Sequence, residues 1–153
     1  VDVTPPQIGR HRPDLHIPTE GEFAGWRTFK RNSFEALNGP FWHRIEADGS
    51  VRCAFRVEAR HLNGMRNVHG GCYMTFADYC LFAFAVHELK APAVTVSFGC
   101  EFLDAAHEGD LVEAIGGVTR AGGSLIFLRG TMVCGDKPLF TFSGTIKRVK
   151  KRV

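Results

Sequence analysis

From Gly71 to Val86 the chain runs sixteen residues, Gly-Cys-Tyr-Met-Thr-Phe-Ala-Asp-Tyr-Cys-Leu-Phe-Ala-Phe-Ala-Val, with one charge, Asp78, and His69-Gly70-Gly71 at the front edge. The segment from Gly70 to about Leu89 is too long for an ordinary strand, and Pro92 bars its continuation, so it is predicted to be a helix. Its apolar residues cover almost every side, which marks a helix surrounded by protein rather than a surface helix. A membrane span needs roughly 18 to 20 uninterrupted apolar residues, and Asp78 interrupts this one at its middle. An unpaired ionised carboxylate costs several kcal/mol to bury, so Asp78 is paired, open on one face or kept for chemistry. Chemistry is the reading carried forward.

A length of 153 residues with 44% hydrophobic and 11% aromatic content suits one compact domain with its own core. The stretch from Val1 to Thr19, with four prolines and no apolar core, does not read as a signal peptide. Cys53, Cys72, Cys80, Cys100 and Cys134 show no paired spacing, and an odd number leaves one unmatched in any disulfide scheme. A reducing, cytoplasmic setting is expected. The net charge of +3 owes five of its nineteen basic residues to Lys147, Arg148, Lys150, Lys151 and Arg152, and without them fourteen bases face sixteen acids, or −2. Nucleic-acid binding and membrane association are therefore not expected, and the basic end reads as a solvated tail.

Residues 1–25 are rich in Pro and Gly and read as an extended arm, residues 26–149 as the domain, and 150–153 as the basic tail. A short helix is expected within Trp26 to Leu37, ended at Asn38-Gly39-Pro40 by a left-handed glycine cap and a proline. Phe41 to Ala47 and Val51 to Ala59 flank Asp48-Gly49 and form a predicted hairpin, in which Val51, Cys53, Phe55 and Val57 supply the buried face. Strands are further expected at Ala93 to Leu103, Leu111 to Ala121, Ser124 to Cys134 and Leu139 to Val149. Short turns favour antiparallel pairing, so the fold class is α+β, an antiparallel β-sheet wrapped around one long central helix.

The helix start has chemistry of its own. Its first backbone amides lack intrahelical acceptors and sit at the positive end of the dipole, and Gly70-Gly71 lets a ligand approach them closely. A carboxylate can act as base or nucleophile, and free backbone amides can stabilise charge that develops on an oxygen, so Asp78 and the Gly70 amide are candidates for one reacting centre. At about 1.5 Å per residue, however, Asp78 lies roughly 12 Å along the axis from Gly70, too far for both to meet one carbonyl. The simplest remedy is a homodimer in which the helix start of one copy faces Asp78 of the other, with two sites per dimer. Ser97 and Ser124 lack a Gly-x-Ser-x-Gly elbow, no cysteine has a nucleophile's local signature, and His61, His69 and Cys72 do not form a zinc-like set. No metal is expected.

The run Asn63-Gly64-Met65-Arg66-Asn67-Val68-His69-Gly70-Gly71, with Asp78 nine residues after His69, resembles the signature of hotdog-fold acyl-CoA thioesterases of the phenylacetate-pathway branch. Val94-Thr95-Val96, Phe102-Leu103, Gly109-Asp110 and the two closing strands extend the likeness over roughly Phe41 to Arg148. The resemblance implies an acyl-CoA thioesterase releasing CoA and a free carboxylic acid. It implies Asp78 as catalytic carboxylate, the Gly70 amide as oxyanion donor, Asn63 and His69 as positioners of the carbonyl or water, and Thr95 as the hydroxyl near the attacking water. Relatives commonly have glycine where this chain has Arg66.

Beside the substrate's own CoA no cofactor is expected. Gly71, Arg120, Gly123 and Ser124 are the candidate substrate-binding residues, the last three for CoA phosphates. Assembly is expected as a dimer or dimer of dimers. Structural roles compete: Asp78 bonded to a Tyr or Thr, Asn63 and His69 as loop braces, Thr95 as strand filler, Gly70-Gly71 as a plain turn. The competing functions are a non-catalytic acyl-CoA binding or regulatory module and a hotdog enoyl-CoA hydratase, which would carry a different histidine signature.

Overall fold

The structure is a computed structural model that describes residues 13–150; the expectations placed on residues 1–12 and 151–153 lie outside the described residues. Strand β1 (Leu15–His16) pairs antiparallel with β2 (Thr28–Phe29), so the chain on both sides of residue 25 is joined in one small sheet. The arm is docked along the next strand, β3 (Trp42–Ile45): Arg27 and His43 exchange backbone hydrogen bonds of 2.8 and 2.9 Å, and Phe23 stacks on Trp42 at 4.9 Å.

The short helix expected within Trp26 to Leu37 is α1 (Phe34–Asn38), placed at the end of that stretch because Thr28 and Phe29, both strand formers, are drawn into β2. Ser33 begins it, its hydroxyl accepting from the Ala36 amide at 3.3 Å. Gly39 ends it with φ −79° and not in the left-handed region. The glycine is needed there for room, since a Cβ would stand 2.6 Å from the Phe41 nitrogen.

The main sheet has the order β3, β4 (Val51–Arg56), β6 (Leu111–Ala121), β7 (Leu125–Cys134), β8 (Lys137–Arg148), β5 (Ala93–Phe102), and every neighbouring pair is antiparallel. The long helix α2 (Gly70–Phe84) packs against β4 to β8. It stops short of Leu89, and residues 85 to 89 continue as hydrogen-bonded turns, capped where the Arg148 guanidinium donates to the Glu88 carbonyl at 3.0 Å. This α+β arrangement is the expected hotdog fold, a sheet curled around one helix.

Helix and sheet interlock through side chains seated over glycines. A Cβ on Gly144 would meet Leu81 Cδ1 at 2.4 Å, and one on Gly130 would meet the Phe142 ring at 2.4 Å and that of Phe84 at 2.9 Å. Phe55, Phe76, Leu81, Ile126, Phe140 and Ile146 fill the space between with no exposed area. Their burial is worth about 1.5–3 kcal/mol each relative to exposure. One narrow stripe of α2 escapes: Gly71, Met74 and Asp78, at i, i+3 and i+7, are exposed. Within a single chain the helix is thus not enclosed on every side.

Strand β5 lies at the edge of the sheet beside that stripe. Its pairing with β8 skips one residue between Thr95 and Ser97, a bulge at Val96. Side chains seven apart on a regular strand point to opposite faces; the extra residue restores Thr95 and Phe102 to the same face, toward α2.

Candidate active site at the start of the long helix

After β4 the chain makes a single 3-10 turn, Ala59–His61. The buried His61 ring fixes this turn: Nδ1 accepts from the Glu58 amide at 2.9 Å, and Nε2 meets the Asn38 carbonyl at 2.6 Å. The ring is therefore neutral with its proton on Nε2, and burial pulls its pKa below the ordinary 6.5. Its backbone carbonyl accepts from the His69 amide at 2.8 Å, so the histidine core also sets the entry to α2.

The intervening loop closes on Asn63, whose Oδ1 accepts from the Met65 amide at 2.9 Å and the Asn67 amide at 3.2 Å. Arg66 takes φ 64°, a left-handed conformation that costs a non-glycine residue about 1 kcal/mol. Its guanidinium pairs with Glu108 at 2.7 Å across the loop.

His69 caps α2, with Nδ1 accepting from the Gly71 amide at 2.8 Å and its carbonyl from the amides of Cys72 and Tyr73 at 2.8 and 3.3 Å. Three of the first amides are thereby used. The Gly70 N–H is left without an acceptor among the described residues. Because His69 Nδ1 is an acceptor, its Nε2 carries the proton and is a donor, as is the Asn63 Nδ2. Both side chains brace the turn and keep a donor to spare.

Eight residues along, Asp78 projects from the open stripe, and Thr95 Oγ1 donates to its Oδ1 at 2.6 Å. The sheet bulge supplies that hydroxyl. The carboxylate is thus neither buried nor unpartnered, which removes the cost that an enclosed helix would have imposed.

Cys72 and Tyr73 follow the Gly-Gly pair yet offer no nucleophile at neutral pH. Burial pushes the Cys72 thiol up to about 11 and the Tyr73 phenol up to about 12.

Arg120, Gly123 and Ser124 fall elsewhere. With Ser97, Phe127 and Arg129 they line an open groove of about 680 Å³ on the sheet face away from α2. Arg148 shapes its end by donating to the carbonyls of Gly122 and Gly123 at 2.6 and 3.1 Å. Asp78, Thr95 and the 69–71 turn do not line it. Sequence reasoning missed Phe102, whose ring lies against Gly70: a Cβ built on that glycine would be 3.0 Å from Phe102 Cε1. No local signal pointed to it, because the contact depends on the bulge.

A sequence model of the thioesterase superfamily matches residues 65–141, from the Asn63 loop through the helix to β8. The chain is 30% identical over 118 residues to a putative esterase, PA0474, of Pseudomonas aeruginosa, covering 76% of this chain and 88% of that protein. It is 29% identical over 99 residues to human acyl-coenzyme A thioesterase 13, covering 64% of this chain and 71% of the relative. The solved PaaI protein of the Escherichia coli phenylacetic acid degradation operon superposes with a TM-score of 0.58 at 25% identity, covering 65% of this chain and 72% of that one. With these matches spanning the helix start, Asp78 and the strands that hold them, the chain belongs to the thioesterase superfamily, as a hotdog-fold thioester hydrolase of the acyl-CoA thioesterase kind.

Proposed function

We propose that the protein hydrolyses an acyl-CoA thioester to CoA and a free carboxylic acid at sites shared between two copies of the chain. The observation that carries this is the pairing of an open carboxylate, held by Thr95 at 2.6 Å, with an unused amide at the start of the same helix. As a base, Asp78 takes a proton from water that attacks the carbonyl carbon; the carbonyl π electrons move to oxygen, which the Gly70 N–H stabilises. Collapse of that intermediate breaks the C–S bond and releases CoA thiolate, which takes up a proton. As a nucleophile, Asp78 would instead form a mixed anhydride that water then cleaves. Either role uses the same placement. His69 Nε2–H and Asn63 Nδ2–H orient the carbonyl or the water, and Thr95 fixes the carboxylate and neighbours the attacking water.

Two copies are needed because the helix holds its own two groups roughly 12 Å apart. Strand β5 offers the joint: it is an edge strand with Val94 and Val96 exposed at 47% and 52%, beside the open stripe of α2. Thr95 holds Asp78 near one end of β5, and Phe102 abuts Gly70 at the other. With the Val96 bulge counted out, antiparallel pairing of two β5 strands about an axis at Gly99 lays Thr95 of one copy opposite Phe102 of the other. Each Asp78 then faces the partner's Gly70. Gly71 allows the thioester close to the backbone, and Arg120, Gly123 and Ser124 in the outer groove are the proposed contacts for CoA phosphates. The five free cysteines suit a cytoplasmic enzyme, and no helix among the described residues is long and apolar enough to cross a membrane.

A panel of acyl-CoA thioesters assayed with a thiol reagent tests the reading. The wild type should release CoA from at least one, and Asp78→Ala should lower kcat on it by about a hundredfold or more. Equal turnover by the variant would refute the mechanism. Acyl-CoA binding without any thiol release would replace it with a binding module.

A further inference from the structure

We propose that Phe102 is the specificity-determining residue that limits branching at the acyl α-carbon, an inference that rests on Gly70 as the oxyanion donor. Phe102 ends β5 and is 55% exposed in the single chain, an unusual placement for a ring with no core to fill. It is nevertheless firmly backed. Phe140 meets it edge-on at 5.1 Å, Tyr73 packs on Phe140 at 5.4 Å, and the Tyr73 hydroxyl accepts from the Ala106 amide at 3.0 Å. A ring supported in this way resists displacement by a substrate.

Its distance from Gly70 then bounds the space beside the amide. Phe102 Cε1 and Cζ stand 3.0 and 3.4 Å from where a Gly70 Cβ would be. With standard bond lengths, that puts the ring edge within roughly 5.5 Å of the Gly70 nitrogen. An oxygen accepting from that nitrogen at about 2.9 Å leaves a substituent of its carbonyl carbon in contact with the ring. The apolar ring suits the acyl side rather than the amide-bearing arm of CoA. A straight chain presents a methylene that can lie along the ring; a second carbon on the α-position must enter space the ring already occupies.

The test compares kcat/KM for butyryl-CoA and isobutyryl-CoA in wild type, Phe102→Ala, Phe102→Leu and Phe102→Tyr, with Asp78→Ala alongside. Wild type should favour the straight chain. Phe102→Ala should move the isobutyryl-to-butyryl ratio at least about tenfold toward the branched substrate, Phe102→Leu should move it part of the way, and Phe102→Tyr should leave it unchanged. An unchanged ratio in Phe102→Ala and Phe102→Leu, with activity that Asp78→Ala still removes, overturns this proposal and leaves the thioesterase reading standing. Should Phe102→Ala fail to fold, the ratio in Phe102→Leu decides alone. A wild type inactive on every acyl-CoA overturns both.

Discussion

His61 does structural work that the sequence signature beside it conceals. Its ring is satisfied only when neutral, because a second proton on Nδ1 would face the Glu58 N–H it now accepts. Burial, the largest influence, lowers its pKa below 6.5, with Arg60 adding to the shift. Between the folded and unfolded pKa values the unfolded chain binds more protons, so stability rises with pH in that window. The contribution is complete above about 6.5 and is lost as pH falls through the folded value. Urea unfolding of wild type at about pH 7 and pH 5 should therefore show a steeper acid loss than His61→Leu, which is less stable at neutral pH but has no imidazole to protonate. Parallel losses in both would refute the assignment. Asp78 is the converse case: it stood out in the sequence as a lone charge at fixed spacing from His69, whereas its partner Thr95 was singled out by the family resemblance alone, its strand position reading equally as filler. A hydrogen bond between a helix and a strand seventeen residues away leaves no periodic trace.

Helix α2 and the strands from β5 onward were legible as elements, because length, apolar content and Pro or Gly punctuation act locally. What failed was local too. The short helix expected within Trp26 to Leu37 forms at the end of that stretch, since Thr28 and Phe29 pair with β1, but its glycine end is not the left-handed cap that was expected. The bulge at Val96 was invisible, since nothing in Val94-Thr95-Val96-Ser97 distinguishes a regular strand from a bulged one, yet it decides which side chains face α2. Phe102 was missed for that reason. Arg120, Gly123 and Ser124 were singled out by their glycine turn, but pattern alone could not tell on which face of the sheet they would lie. Edge strand β5 carries a prediction at this scale. Natural edges are protected by lysine, and Val96 is exposed at 52%, so Val96→Lys should leave the monomer's thermal midpoint nearly unchanged while shifting gel filtration from dimer to monomer. CoA release should fall with the dimer. A monomeric, fully active Val96→Lys protein would overturn the shared site.

In the proposed assembly the two ends of the helix meet across copies, which can be tested by mixing defective copies. Asp78→Ala removes the carboxylate and keeps the Gly70 amide. Gly70→Pro does the opposite: proline at the first helical position is well tolerated and deletes only an amide that has no acceptor among the described residues. The preceding residue His69 already has φ −62° and ψ 135°, the extended conformation proline requires before it. The nearest atom to the added Cβ is Phe102 Cε1 at 3.0 Å, a contact that a shift of a few tenths of an ångström relieves without unseating the backed ring. Alone, Gly70→Pro should fold and lose on the order of a hundredfold in kcat through the missing donor. Refolded together in equal amounts, the two variants should assort at random, so that half the dimers are mixed and each mixed dimer holds one site with both groups and one with neither. Activity should recover to about a quarter of wild type. If each site were built within one chain, mixing would give the average of two inactive proteins, and no recovery after confirmed subunit exchange would show that the carboxylate and the amide belong to the same copy.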